Sequence, residues 1–146
     1  MKFGRQLVYA PALAELLLPT LNEFFAETDV LVPVPLHRRR HIRRGFNQSA
    51  EICRTLAKRT GRPVCEQAKR RRHTKTQSGL TAPQRRRNLH NAFKVRGTLA
   101  GSQPLIVDDV ITTGTTCDTL AQALLAAGAV RVGVLTVARS SIRVLQ

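Results

Sequence analysis

The chain has 146 residues, 42% of them hydrophobic, and its 24 lysines and arginines against 9 acids give a formal charge of +15. That length suits one domain, residues 1–146, with a real core; no apolar run approaches the ~18 residues a membrane span needs, and the opening lacks a signal peptide's charged and apolar regions, so no membrane insertion and a cytoplasmic location are expected. Cys53, Cys65 and Cys117 are widely spaced, form no CxxC pair and cannot all pair with one another, so reduced thiols are expected and structural zinc is not.

The positive charge is concentrated. Arg38, Arg39, Arg40, Arg43 and Arg44 form one cluster, and ten basic residues with no acid lie between Gln67 and Val107. Fields of this kind attract polyanions, either a pyrophosphorylated sugar or nucleic acid.

In chain order, residues 11–25 predict a helix, within an N-terminal helical segment 1–28, whose Leu13, Leu16, Leu17, Leu21 and Phe24 recur at spacings of three and four and should cover one face of a sheet. Residues 30–36 (VLVPVPL) read as the first strand, with Pro33 and Pro35 toward its carboxyl end, where a ladder stops. The cationic turn 36–45 follows. Residues 46–60 predict a second helix, started by Gly45 or Asn47, turning Ile52, Leu56 and Phe46 inward and capped by Gly61. A short strand is expected at 64–68.

Residues 69–88 show no apolar periodicity. Their cations repel one another and bury little, so a flexible basic loop, 69–91, is expected to order over a bound anion. Strands are expected at 92–96 and 130–138, and Leu120, Ala123, Leu124 and Ala127 mark a helix stopping at Gly128. Strand, helix, strand in this order implies a right-handed crossover and a mainly parallel sheet flanked by helices, an α/β fold.

The most informative stretch is residues 104–116, PLIVDDVITTGTT. An apolar run short enough for a buried strand meets Asp108 and Asp109, the only adjacent acids in the chain, and then turns through hydroxyls and one glycine into an amphipathic segment. Carboxylates at the carboxyl end of a strand in an open α/β sheet stand where ligands bind, and there they can accept hydrogen bonds from sugar hydroxyls or face a hydrated Mg²⁺. Thr112, Thr113, Thr115 and Thr116 offer hydroxyls and backbone N–H groups at the positive end of a helix, and Gly114 lets the backbone approach a phosphate closely. A threonine-capped turn would need one hydroxyl and no acid pair. Together these groups describe a phosphorylated ribose, of which phosphoribosyl pyrophosphate (PRPP) is the activated form.

Residues 107–116 resemble the PRPP-binding motif of type I phosphoribosyltransferases. With residues 32–36 (VPVPL), 44–48 (RGFNQ), 72–77 (RHTKTQ), Arg87-Asn88 and Ala92-Phe93, nearly the whole chain resembles the ComF/GntX family of competence-associated, phosphoribosyltransferase-like proteins. The resemblance implies a type I phosphoribosyltransferase-like fold and use of Mg²⁺. It implies that Asp108 and Asp109 are the catalytic acids facing the ribose hydroxyls and the metal, mostly through water or substrate, and that Thr112, Thr113, Gly114, Thr115 and Thr116 hold the 5′-phosphate. Arg38, Arg39, Arg40 and Arg44 would face the pyrophosphate, and Arg72, Thr74 and Gln77 would belong to the closing loop. The N-terminal zinc ribbon usual in that family is not in this sequence.

Two functions compete. One is a phosphoribosyl transfer to an acceptor the motifs do not specify; His37, His41, His73 and His90 lie in basic or polar segments and none reads as a convincing general base. The other is a non-catalytic nucleic-acid-binding accessory protein of DNA uptake or recombination, favoured by the charge but poorly supplied with stacking platforms at 4% aromatics. Single-stranded DNA, a competence-machinery protein and a second copy forming a homodimer are the macromolecular partners left open.

Overall fold

The computed structural model describes residues 9–36, 46–71 and 92–140. Its elements are α1 (Ala10–Phe24), β1 (Val30–Pro33), α2 (Gln48–Thr60), β2 (Ala68–Arg70), β3 (Phe93–Val95), β4 (Pro104–Ile111), α3 (Thr115–Ala126) and β5 (Gly133–Arg139). β1, β4 and β5 form a parallel sheet with β4 in the middle, while β2 and β3 pair antiparallel as a separate hairpin.

The middle strand explains the layering. Pro104, Leu105, Ile106 and Val107 are four buried residues in a row, which a strand covered on both faces requires. Leu105 and Val107 pack with Leu31 and Leu135 of the neighbouring strands, against Leu17 and Leu21 of α1 and Ile52 and Leu56 of α2. Ile106 and Val32 belong to the opposite face, with Cys117, Leu120 and Leu124 of α3 and Phe93 of β3. Among the described residues, no helix is long and apolar enough to cross a membrane.

Three expectations about elements are corrected. On α1 the buried positions are Ala10, Ala14, Leu17 and Leu21, whereas Leu16 and Phe24 are 70% and 67% exposed. Spacings of four, three and four follow one helical face, and the two alanines are small enough to seat α1 against its neighbours. Arg59 Nε of α2 donates to Glu15 Oε1 of α1 at 2.6 Å, so part of the basic excess holds helices together.

The strand expected at 64–68 is a single parallel bridge of Val64 to Leu31, and β2 begins only at Ala68. Leu31 N–H donates outward to the Pro63 carbonyl at 2.9 Å and the Leu31 carbonyl accepts from Cys65 N–H at 2.8 Å. The next outward donor on β1 would be residue 33, a proline without an N–H, so the ladder stops after one rung.

Lys69 and Arg70, expected in the basic loop, are strand residues of β2 instead. Lys69 and Arg70 pair with Lys94 and Phe93 in the hairpin, and the Arg70 guanidinium carbon lies 5.6 Å from the centre of the Phe93 ring, a cation–π contact. Residues 72–91 lie outside the described residues. α2 ends as expected at Gly61, whose φ of +73° lets its N–H return to the Ala57 carbonyl at 2.8 Å.

Candidate functional site

β4 outlasts β1. Its pairing with β1 ends at Pro33–Val107, with one further bond from Val34 N–H to the Val107 carbonyl at 3.2 Å, but its pairing with β5 continues to Ile111–Arg139. Asp108 and Asp109, expected at the strand's end, therefore lie inside β4, at the point where the strand has lost one of its two neighbours. Their side chains turn back on the local backbone: Asp109 N–H donates to Asp108 Oδ1 and Val110 N–H to Asp109 Oδ1, both at 2.9 Å. Ser49 Oγ on α2, a buried hydroxyl, also donates to Asp108 Oδ1 at 2.9 Å. Asp108 Oδ1 thus takes two internal donors and Asp109 Oδ1 takes one.

The turn after β4 carries the hydroxyls. Gly114 has φ +81° and ψ −9°, and the first intrahelical bond of α3 runs from Asp118 N–H to the Gly114 carbonyl at 2.9 Å. The Thr116 and Cys117 amides precede that bond and belong to the positive helix end, which favours anions. Thr113 and Thr115 hydroxyls lie 2.8 Å apart. Asp108, Val110, Ile111, Thr112, Thr113, Gly114, Thr116 and Cys117 line a pocket of about 50 Å³. The structure therefore brings Asp108 together with most of the expected phosphate loop. Asp109 and Thr115 sit beside this pocket rather than lining it.

Burial pushes the Asp108 carboxyl up to about 6; the Ser49 hydrogen bond opposes this, while the hydrogen bond and charge of neighbouring Asp109 reinforce it. A carboxyl whose folded value exceeds its ordinary 3.8 costs no stability below that value, progressively more between 3.8 and about 6, and a constant amount above. In metal-free protein, Asp108→Asn is accordingly expected to be more stable than the parent above pH 6 by about 1–2 kcal/mol, after discounting the full shift for partial exposure. The gain should vanish near pH 4. Urea unfolding at pH 8 and pH 4 checks this; equal differences at both would exclude the cause. Burial raises the Cys117 thiol to about 11, with the Asp108 and Asp118 charges adding to the shift, so it stays protonated and is no nucleophile at neutral pH.

Arg38, Arg39, Arg40 and Arg44, expected at the pyrophosphate, lie outside the described residues, as do Arg72, Thr74 and Gln77 and all four histidines. Cys53, Cys65 and Cys117 are free and buried. Sequence reasoning missed Ser49 and the tie that Asn47 makes. Asn47 stands at the α2 start as expected, but its Nδ2 donates back to the Val34 carbonyl at 3.0 Å instead of capping the helix. The RGFNQ motif ends one residue before Ser49, and no local pattern links that serine to an acid 59 residues away.

Residues 12–145 match the phosphoribosyl transferase domain family. The chain belongs to that family. DNA utilization protein YhgH of Salmonella typhi is 44% identical over 146 residues, a match covering 96% of this chain and 64% of that protein. Competence protein F of Haemophilus influenzae is 36% identical over 116 residues, covering 77% of this chain and 51% of that protein. The chain thus spans less than two thirds of the length of these curated relatives, and its similarity to both agrees with the ComF/GntX resemblance. A purine phosphoribosyltransferase from Pyrococcus horikoshii Ot3 aligns with a TM-score of 0.54 at 19% identity, over 97% of this chain and 78% of that one. That likeness shows the fold: the parallel β1–β4–β5 sheet flanked by helices is a type I phosphoribosyltransferase fold.

Proposed function

We propose that this phosphoribosyl transferase domain binds PRPP or a nucleotide at residues 108–116 and transfers the phosphoribosyl group to an acceptor, within DNA utilization or competence. The observation that supports it best is continuity: one β4–α3 connection sets two carboxylates next to a hydroxyl-lined turn at a helix's positive end.

Thr112, Thr113, Gly114, Thr115 and Thr116 would hold the 5′-phosphate through hydroxyls and amides. Asp108 and Asp109 would accept hydrogen bonds from the ribose hydroxyls. As the bond from the anomeric carbon to pyrophosphate breaks, the electron pair leaves with pyrophosphate and positive charge grows on the sugar, where the two carboxylates stabilise it until the acceptor's nucleophile bonds to that carbon. Arg38, Arg39, Arg40 and Arg44 would receive the departing pyrophosphate, and Arg72, Thr74 and Gln77 would shut water out.

Mg²⁺ fits the donor set. Among the described residues no group of three or more His, Cys, Asp or Glu could cage a metal, and Mg²⁺ is commonly held by one or two carboxylates together with substrate phosphates and water. When bound it would neutralise pyrophosphate charge, facing Asp108 and Asp109. Free buried cysteines favour a reducing compartment, so the proposal places the protein in the cytoplasm.

Calorimetry with PRPP, with and without Mg²⁺, tests the binding, and a pyrophosphate-release screen over bases and amines tests the transfer. Metal-dependent binding is expected. No binding of PRPP or of any nucleoside monophosphate would overturn the proposal. The +15 charge and the relatives' names favour one second reading, a DNA-binding accessory role. Tight single-stranded DNA binding that survives loss of both acids, without PRPP binding, would establish it instead.

A further inference from the structure

We infer that Ser49 is a positioning residue of this site, fixing one oxygen of Asp108 so that the other is held toward the ribose hydroxyls; the inference rests on the phosphoribosyl reading above. Ser49 is only 4% exposed, so its hydroxyl needs an internal partner. Thr55, Thr60 and Thr119 return their hydroxyls to the carbonyl one helical turn back. Ser49 is the second residue of α2, has no helical turn behind it, and its hydroxyl crosses to β4 instead.

Asn47, two residues earlier, ties the same helix start to the Val34 carbonyl. The first turn of α2 is therefore pinned to two adjacent strands at the place where their pairing ends. With Asp109 N–H, Ser49 saturates Asp108 Oδ1 and restricts a carboxylate that a half-paired strand alone would leave free to rotate. The donor is neutral, and that matters chemically. A lysine or arginine at this position would fix the carboxylate too, but would cancel the charge needed to accept sugar hydroxyls and to stabilise a cationic sugar. Among the described residues, the groups bearing on Asp108 are Ser49, Asp109 and the protonated Cys117 thiol, none of them cationic.

Ser49→Ala is the test, read with two ligands. Alanine fits the vacated space and suits a helix, so the melting temperature should stay close to the parent's. Affinity for PRPP with Mg²⁺ should fall roughly tenfold, the scale of losing one hydrogen bond to a charged group. Affinity for inorganic phosphate, which probes the threonine turn alone, should change less than about twofold. Parent-like PRPP affinity in Ser49→Ala would overturn the inference, and so would an equal loss for both ligands, which a merely structural serine would produce. Failure of the unsubstituted chain to bind PRPP is a separate outcome, visible before any substitution, and would overturn the underlying phosphoribosyl reading as well.

Discussion

The double variant Asp108→Ala, Asp109→Ala is expected to lose Mg²⁺-dependent PRPP binding altogether at accessible concentrations. In the proposed complex each carboxylate accepts from a ribose hydroxyl, and hydrogen bonds to a charged group contribute roughly 1.5–3 kcal/mol apiece, so losing both should weaken binding by about a hundredfold to ten-thousandfold. The substitutions also leave the Asp109 and Val110 amides and the Ser49 hydroxyl without their acceptors, so fold must be checked in parallel. The variant Asp108→Asn, Asp109→Asn keeps an acceptor for each of those donors and separates loss of charge from loss of structure. Calorimetry decides the matter: undiminished metal-dependent binding by a folded double variant would remove the acids from the site. Phosphate affinity at the threonine turn should survive in both, because the turn's donors are the hydroxyls and amides of residues 112–117 and a carboxylate in the same pocket adds no donor.

Gly114→Val should weaken binding by a different route. A Cβ at Gly114 would meet nothing within 4 Å, so the space is open and no steric clash in the unliganded chain explains a requirement for glycine. The requirement is conformational. At φ +81° a β-branched residue is strained by about 1–3 kcal/mol, and the turn would relax by swinging its amides out of position. A loss of roughly tenfold to a hundredfold in affinity for PRPP and for inorganic phosphate alike is expected. Gly114→Ala, without the branch, should lose less. A folded Gly114→Val variant with the parent's affinity for both ligands would show that the turn does not wrap a phosphate.

The two variants probe what was most legible in the sequence. The 104–116 stretch could be read because everything it needs is local: four apolar residues for a strand buried on both faces, an acid pair, and a glycine where the turn takes φ +81°. α1 was legible as a helix but not in its facing. Five large apolar residues compete for one stripe, and which are buried depends on Ala10 and Ala14 fitting against neighbours that the sequence of α1 does not mention. Ser49 and Asn47 were illegible for the opposite reason. Their partners, Asp108 and Val34, are 59 and 13 residues away, and a small polar residue early in a helix looks the same whether it caps, faces water or holds an acid. The strand character of Lys69 and Arg70 was hidden because it comes from pairing with Lys94 and Phe93, more than twenty residues further along the chain.

Pro33 and Pro35 have a bearing on how this protein behaves in a crowded solution. Along β1, Val34 sends its N–H inward to β4 and Leu31 sends its N–H outward, so by the alternation of a strand residues 33 and 35 would also donate outward. Both are prolines. The outer margin of the sheet beyond Leu31 consequently offers acceptors with no matching donors, and a stray strand from another molecule cannot zip along it. A parallel sheet made of such apolar strands would otherwise invite edge-to-edge aggregation close to its ligand-binding end. The two prolines keep that end from being sealed by a neighbour while leaving the inward bonds to β4 intact.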